Sequence, residues 1–175
     1  MIKTQIPQPL KQDLERLSEL IQRAPIGKYI GREGAKILAE HACEEIDLKE
    51  NDFLFRGGET TSSFFLIESG RLARVRESAG KANPSIVHVL QPGDLVGELS
   101  FIDDTEHSMG VMALTTARVL KFQKSDVDPL ITEHPRLMFD FMRAVIKRVH
   151  HTVNDISRQQ LALSEYIASG GKGRK

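Results

Sequence analysis

The sequence predicts a mainly β domain with flanking helices: a jelly-roll-like β-roll (double-stranded β-helix) with a short internal helical turn and a long C-terminal helix. Three observations predict it. Between Glu45 and Phe122, short segments rich in β-branched and aromatic residues recur about every ten residues, separated by glycine-bearing turns. Helical periodicity flanks this region on both sides. A long helix is expected from Pro135, and between Met142 and Tyr166 mostly apolar positions fall alternately three and four residues apart, the spacing of a helix that packs along a seam.

The bulk properties bound the function. A chain of 175 residues fits one domain, and 40% hydrophobic content is enough for one ordinary core. The 24 Lys and Arg are balanced by 24 Asp and Glu, so neither the basic excess of a nucleic-acid binder nor an acidic tail is present. Cys43 is the only cysteine, which precludes an internal disulfide. The segment Met1 to Lys11 carries two prolines and no apolar signal core, so a cytoplasmic location is expected. The apolar runs are too short to span a bilayer, and no membrane partner is expected.

The elements follow in order. Pro9 opens a helix on Leu10, Leu14, Leu17 and Ile21, which Ala24-Pro25 stops. A second helical stretch runs through Ala35, Ile37, Leu38 and Ala42, with Cys43 expected as a small buried side chain within it. Strand-like segments are Phe53-Leu54-Phe55, Ser63 to Ile67, Arg71 to Ser78, Ile86 to Leu90, Val111 to Leu114 and Arg118 to Phe122. Glu77 to Pro84 reads as a polar hairpin loop. One stretch breaks the β rhythm: Gly97 to Asp104 lacks alternation and suits about one helical turn. Ser125-Asp126 is placed to cap a short helix ending before His134-Pro135. The long helix then carries Met142, Val145, Val149, Thr152, Ile156, Gln159, Leu163 and Tyr166 on one seam and ends at Ser169-Gly170-Gly171. The expected divisions are an N-terminal helix (1–24), the β-roll (25–133), a dimerisation helix (134–169) and a flexible tail (170–175).

Two pairs of motifs, in order, make a specific pattern. Phe53-Leu54-Phe55-Arg56-Gly57-Gly58 is followed by Phe65-Leu66-Ile67-Glu68-Ser69-Gly70, and Pro92-Gly93-Asp94 by Gly97-Glu98-Leu99. Together they resemble the cyclic-nucleotide-binding domain of bacterial catabolite activator proteins and of kinase regulatory subunits, over roughly residues 12 to 160. The resemblance implies that the turn after Gly97 is a phosphate-binding cassette, Gly97-Glu98-Leu99-Ser100, in which the glutamate accepts a hydrogen bond from the ribose 2′-hydroxyl. The residue chemistry agrees: Gly97 allows close backbone approach, and the free N–H groups of the next turn suit an anion.

The second half of the cassette departs from the family pattern. Where bacterial members have Glu-Arg-Ser, this chain has Glu106-His107-Ser108. Arginine offers a permanent charge and a bidentate fork, whereas histidine is mostly neutral near neutral pH. Loss of one charge-assisted hydrogen bond costs about 1.5–3 kcal/mol, roughly ten- to a hundredfold in affinity. His107 reads either as a phosphate contact or as an exposed loop histidine. Ser108 lies at the family's phosphate end. Thr152 falls at the position where the family's long helix meets the base, or it is a polar break in the seam. Arg71, Arg74 and Arg76 form a solvated strand face, or one of them substitutes for the missing arginine.

The expected function is a stand-alone regulatory sensor rather than an enzyme: no nucleophile elbow, phosphate loop or His-x-His motif is present. Its ligand is a cyclic nucleotide, cAMP or cGMP, with no metal. It is expected to homodimerise through the C-terminal helix and to signal to an effector protein, without direct DNA binding because the chain stops where the activators' helix-turn-helix would begin. The alternative is a degenerate dimeric interaction module with no ligand or a different small anion.

Overall fold

In the computed structural model, residues 13–77 and 83–168 are described, with Asp155 and Gln159 described by their backbone alone. The expected first turn at Pro9-Leu10, the centre of the hairpin loop at 78–82 and the tail from 169 lie outside the described residues.

Two helices precede the roll. Helix α1, Leu14–Arg23, buries Leu17 and Ile21 and ends where Ala24 turns extended (φ −63°, ψ 156°) before Pro25. Helix α2, Gly27–Ala39, is interrupted at Gly31, whose φ of 68° and ψ of −175° only glycine adopts at low cost. Cys43 lies past the end of this helix, at the entry to the first strand, and not within a helix. Its Sγ lies 2.8 Å from Asp126 Oδ2 and accepts the Gln123 N–H at 3.2 Å.

The roll consists of β1 (Glu44–Leu48), β2 (Phe53–Phe55), β3 (Ser63–Ser69), β4 (Leu72–Arg76), β5 (Ser85–Leu90), β6 (Leu95–Val96), β7 (Gly110–Ala113) and β8 (Ala117–Gln123). They form two antiparallel four-stranded sheets, ordered β1-β8-β3-β6 and β2-β7-β4-β5. Helix α3, Glu98–Asp103, connects β6 to β7 and is the predicted break in the β rhythm.

Strand β3 explains the layering. Phe64-Phe65-Leu66-Ile67 is apolar without alternation because both of its faces are covered. Phe65 and Ile67 face the second sheet, meeting Phe55, Leu72, Leu90 and Val111. Phe64 and Leu66 face the helices, meeting Leu17, Ile21, Leu38 and Phe141. Phe64 stacks on Phe122 at 4.6 Å between centroids and also meets Phe101 and Phe141, at 5.0 and 5.1 Å. This aromatic cluster ties the cassette helix and the long helix to one strand. Arg16 of α1 adds ion pairs to Glu45 and Glu68 at the roll's rim.

Two short helices, α4 (Lys124–Val127) and α5 (Leu130–Glu133), lead to α6, Pro135–Ala168. The expected Ser125-Asp126 cap is corrected: α4 starts at Lys124 with no side-chain cap, and Asp126 meets Cys43 instead. Pro135 opens α6 as anticipated. Leu137, Phe141, Ala144 and Val145 are buried against the roll. Val145 of the expected seam therefore serves this chain's own core. Beyond it, Val153, Ile156, Leu161, Leu163 and Tyr166 are exposed. The predicted class holds: antiparallel sheets with flanking helices and a long C-terminal helix.

Candidate functional site: a cavity over the Gly97 turn, joined to the long helix

The site is built where β6 runs into α3. Gly97 has φ +77°, and a Cβ there would lie 3.2 Å from Ser63 O and 3.5 Å from His107 Cε1. Glycine is thus favoured by conformation, and any side chain would crowd the Ser63 carbonyl. The Phe101 N–H donates to Gly97 O at 3.0 Å, the first bond of the turn. The N–H groups of Glu98, Leu99 and Ser100 precede it and have no acceptor inside the helix.

A cavity of about 190 Å³ lies over this turn. Gly97, Glu98, Leu99, Ser100, His107 and Ser108 all line it, together with Phe55 and Arg74. Thr152 does not. It lines a neighbouring cavity of about 330 Å³, with Arg148 and the histidines His88 and His151. Its hydroxyl donates to Arg148 O at 3.1 Å.

Glu98 is 3% exposed and sits between two arginines. Its Oε1 lies 3.9 Å from Arg74 Nη2 on β4 and 3.9 Å from Arg148 Nη1 on α6. Burial holds the Arg74 guanidinium below its ordinary pKa, and Arg148 pushes it the same way. Glu98 and Asp94 oppose that shift. Of Arg71, Arg74 and Arg76, only Arg74 turns to the cassette; the other two are exposed.

His107 turns inward and is 5% exposed. Nδ1 lies 2.9 Å from Ser100 Oγ and Nε2 lies 2.8 Å from Thr61 Oγ1. The ring stacks on Phe55 at 3.7 Å. Its main chain is fixed as well: the His107 N–H donates to Glu59 O, and His107 O accepts the Gly58 N–H, both at 2.8 Å. Burial lowers its pKa, against the pull of Glu59 and Glu98. The imidazole is therefore a fully bonded part of the cavity wall, and its burial disfavours the charged form.

Sequence reasoning missed Thr61 and Arg148. Thr61 is 46 residues from its partner His107, so no local pattern links them. Arg148 was legible only as part of the basic stretch Lys147-Arg148-Val149, whose match to the family places Thr152. Among the described residues, no group of three or more His, Cys, Asp and Glu is arranged to hold a metal ion, and no helix is long and apolar enough to cross a membrane.

The family model described as "Cyclic nucleotide-binding domain" matches residues 45–134. A CRP-like cAMP-activated global transcriptional regulator of Mycobacterium tuberculosis is 22% identical over 142 residues, covering 81% of this chain and 62% of that protein. A lysophospholipase of Pyricularia oryzae is 23% identical over 118 residues, covering 67% of this chain and 8% of the enzyme. The chain thus spans less than two thirds of the curated relatives it matches, and only a small part of the lysophospholipase. Among solved structures, the N-terminal domain of a transcriptional regulator from Streptomyces coelicolor A3(2) superposes with a TM-score of 0.65 at 25% identity, covering 76% of this chain and 94% of that one. With a matched span of half the chain, and the cassette turn inside it, this protein belongs to the cyclic nucleotide-binding domain family.

Proposed function

We propose that this domain is a regulatory sensor that binds cAMP or cGMP over the Gly97-Glu98-Leu99-Ser100 turn and signals through α6 to an effector protein. The observation that carries the reading is the Glu98–Arg148 pair, which joins the ligand cavity to the long helix. A ribose hydroxyl that donates to Glu98 competes with Arg148 for the same carboxylate. At about 190 Å³ the cavity falls below the ~300 Å³ at which ligand pockets usually begin. Ligand entry therefore parts Glu98 from Arg148 and opens the cavity toward the one that Thr152 lines. Movement of α6 follows, provided the two arrangements differ in ligand affinity. The exposed apolar residues of α6 beyond Val149 supply the surface for a second copy of the chain, the homodimer through which the helix reports.

Thermal unfolding with cAMP and cGMP tests this. A ligand present at a hundred times its Kd adds about 2.7 kcal/mol. That is a rise of roughly 5–11 °C for a domain of this size. No shift with either nucleotide at millimolar concentration, on both sides of neutral pH, refutes it.

One observation favours a second reading, an interaction module whose pocket takes no nucleotide or another small anion: the saturation of His107 by Ser100 and Thr61. His107→Arg discriminates. Nucleotide binding gained from nothing supports the module; strong binding by the unaltered protein supports the sensor.

A further inference from the structure

We infer that Arg74, in the middle of β4, is the anion anchor of the cassette cavity, in place of the loop position that His107 occupies. The inference deepens the sensor reading and rests on it for the ligand's identity. Three observations support it.

His107 has nothing left to offer an anion. Both ring nitrogens are bonded to hydroxyls, the ring is stacked on Phe55, and burial disfavours its charged form. Arg74 is the only lysine or arginine among the described residues lining this cavity. It projects from a strand paired on both sides, with Arg74 opposite His88 on β5 and Val111 on β7, at a shift in register between Arg74 and Val75 on the β5 side.

The guanidinium of Arg74 is also uncommitted. Arg74 and Arg148 share the single buried carboxylate of Glu98. At 3.9 Å neither pair is a hydrogen bond, so the fork of Arg74 keeps donors for a ligand. Asp103 and Glu106 border the same cavity, but both are exposed, and Asp103 accepts from the Thr105 N–H and hydroxyl. Neither forms an ion pair with Arg74 among the described residues. Asp94 contributes attraction from the side, while its own Oδ2 accepts the Gln91 N–H at 2.9 Å. A phosphate that meets Arg74 takes up its free donors and leaves Glu98 for a sugar hydroxyl.

The test titrates cAMP, cGMP and inorganic phosphate, at constant ionic strength, into the full chain and its Arg74→Gln, Arg74→Lys, Arg74→Ala and Arg71→Gln variants. Calorimetry reads affinity, and circular dichroism confirms that each variant folds. Arg74→Gln is expected to weaken every anion that binds by roughly ten- to a hundredfold. Arg74→Lys loses less, because charge remains without the fork. Arg71→Gln, on the exposed arginine before β4, leaves affinity unchanged. Phosphate binding that depends on Arg74, without nucleotide binding, supports the anchor while sinking the sensor reading. Nucleotide binding that ignores Arg74→Gln overturns the anchor while leaving the sensor. Tighter binding in Arg74→Ala overturns it too, since Arg74 would then be a plug. The absence of any anion binding to the unaltered chain overturns both.

Discussion

Replacing Glu98 with glutamine removes the buried carboxylate that faces both Arg74 of β4 and Arg148 of α6. The magnitude follows from the geometry. Each Glu98–arginine pair at 3.9 Å is worth about 4 kcal/mol at an effective dielectric constant near 20. Burial of Glu98 offsets much of that attraction, and both arginines remain about a quarter exposed to solvent. Loss of the carboxylate also leaves two guanidinium groups facing each other. The net expectation is a loss of about 2 kcal/mol, or roughly 4–8 °C in Tm for a domain of this length. Thermal unfolding followed by circular dichroism measures it. Comparison of Glu98→Gln, Arg148→Ala and the double variant gives the coupling between cassette and helix. The variant effects are expected to be clearly non-additive. A Tm within about 1 °C of the unaltered protein, or strict additivity, refutes the claim that this carboxylate is the tie.

Three further outcomes are expected. Phe64→Ala, at a fully buried position within contact of Phe101, Phe122 and Phe141, costs about 3–5 kcal/mol by denaturant unfolding; a cost below about 1 kcal/mol contradicts the aromatic hub. His107 is held below its ordinary pKa of 6.5, so the folded state binds this proton less tightly than the unfolded chain. The stability this histidine confers is complete above that value and declines as pH falls below it, by up to about 1.4 kcal/mol per unit, and His107→Gln flattens that slope in denaturant midpoints. The Cys43 thiol is pushed up to about 12 by burial and by Asp126, so alkylation in the native state at mildly alkaline pH proceeds far more slowly than in denaturant; equal rates contradict the Asp126 contact.

Much of this fold is local in origin and therefore legible. The glycines at 70, 93 and 97 sit at positive φ where the strands turn, Pro25 and Pro135 bound helices, and the apolar run of β3 announces a strand covered on both faces. The two-residue β6 escaped notice because it is too short to show periodicity and exists only through pairing with Phe65 and Leu66. The cap at Ser125 was misread because Asp126 prefers a tertiary partner, Cys43, 83 residues away. Within the site, the turn at Gly97 was legible from its own residues. The roles of the charges were not. Strand alternation puts Arg74 and Arg76 on one face, but only packing decides that Arg74 meets Glu98 while Arg76 stays in water. Likewise, a histidine in a loop reads as exposed until Thr61, Ser100 and Phe55 are seen to enclose it.

The central claim is that occupancy of the cassette is felt by α6 through Glu98 and Arg148. Amide hydrogen exchange of the full chain, with and without saturating cyclic nucleotide, tests it most directly. Exchange is expected to change both at 97–101 and along α6 around 144–152, and Arg148→Ala to remove the second change while leaving the first. A bound nucleotide that protects the cassette and leaves α6 untouched contradicts it.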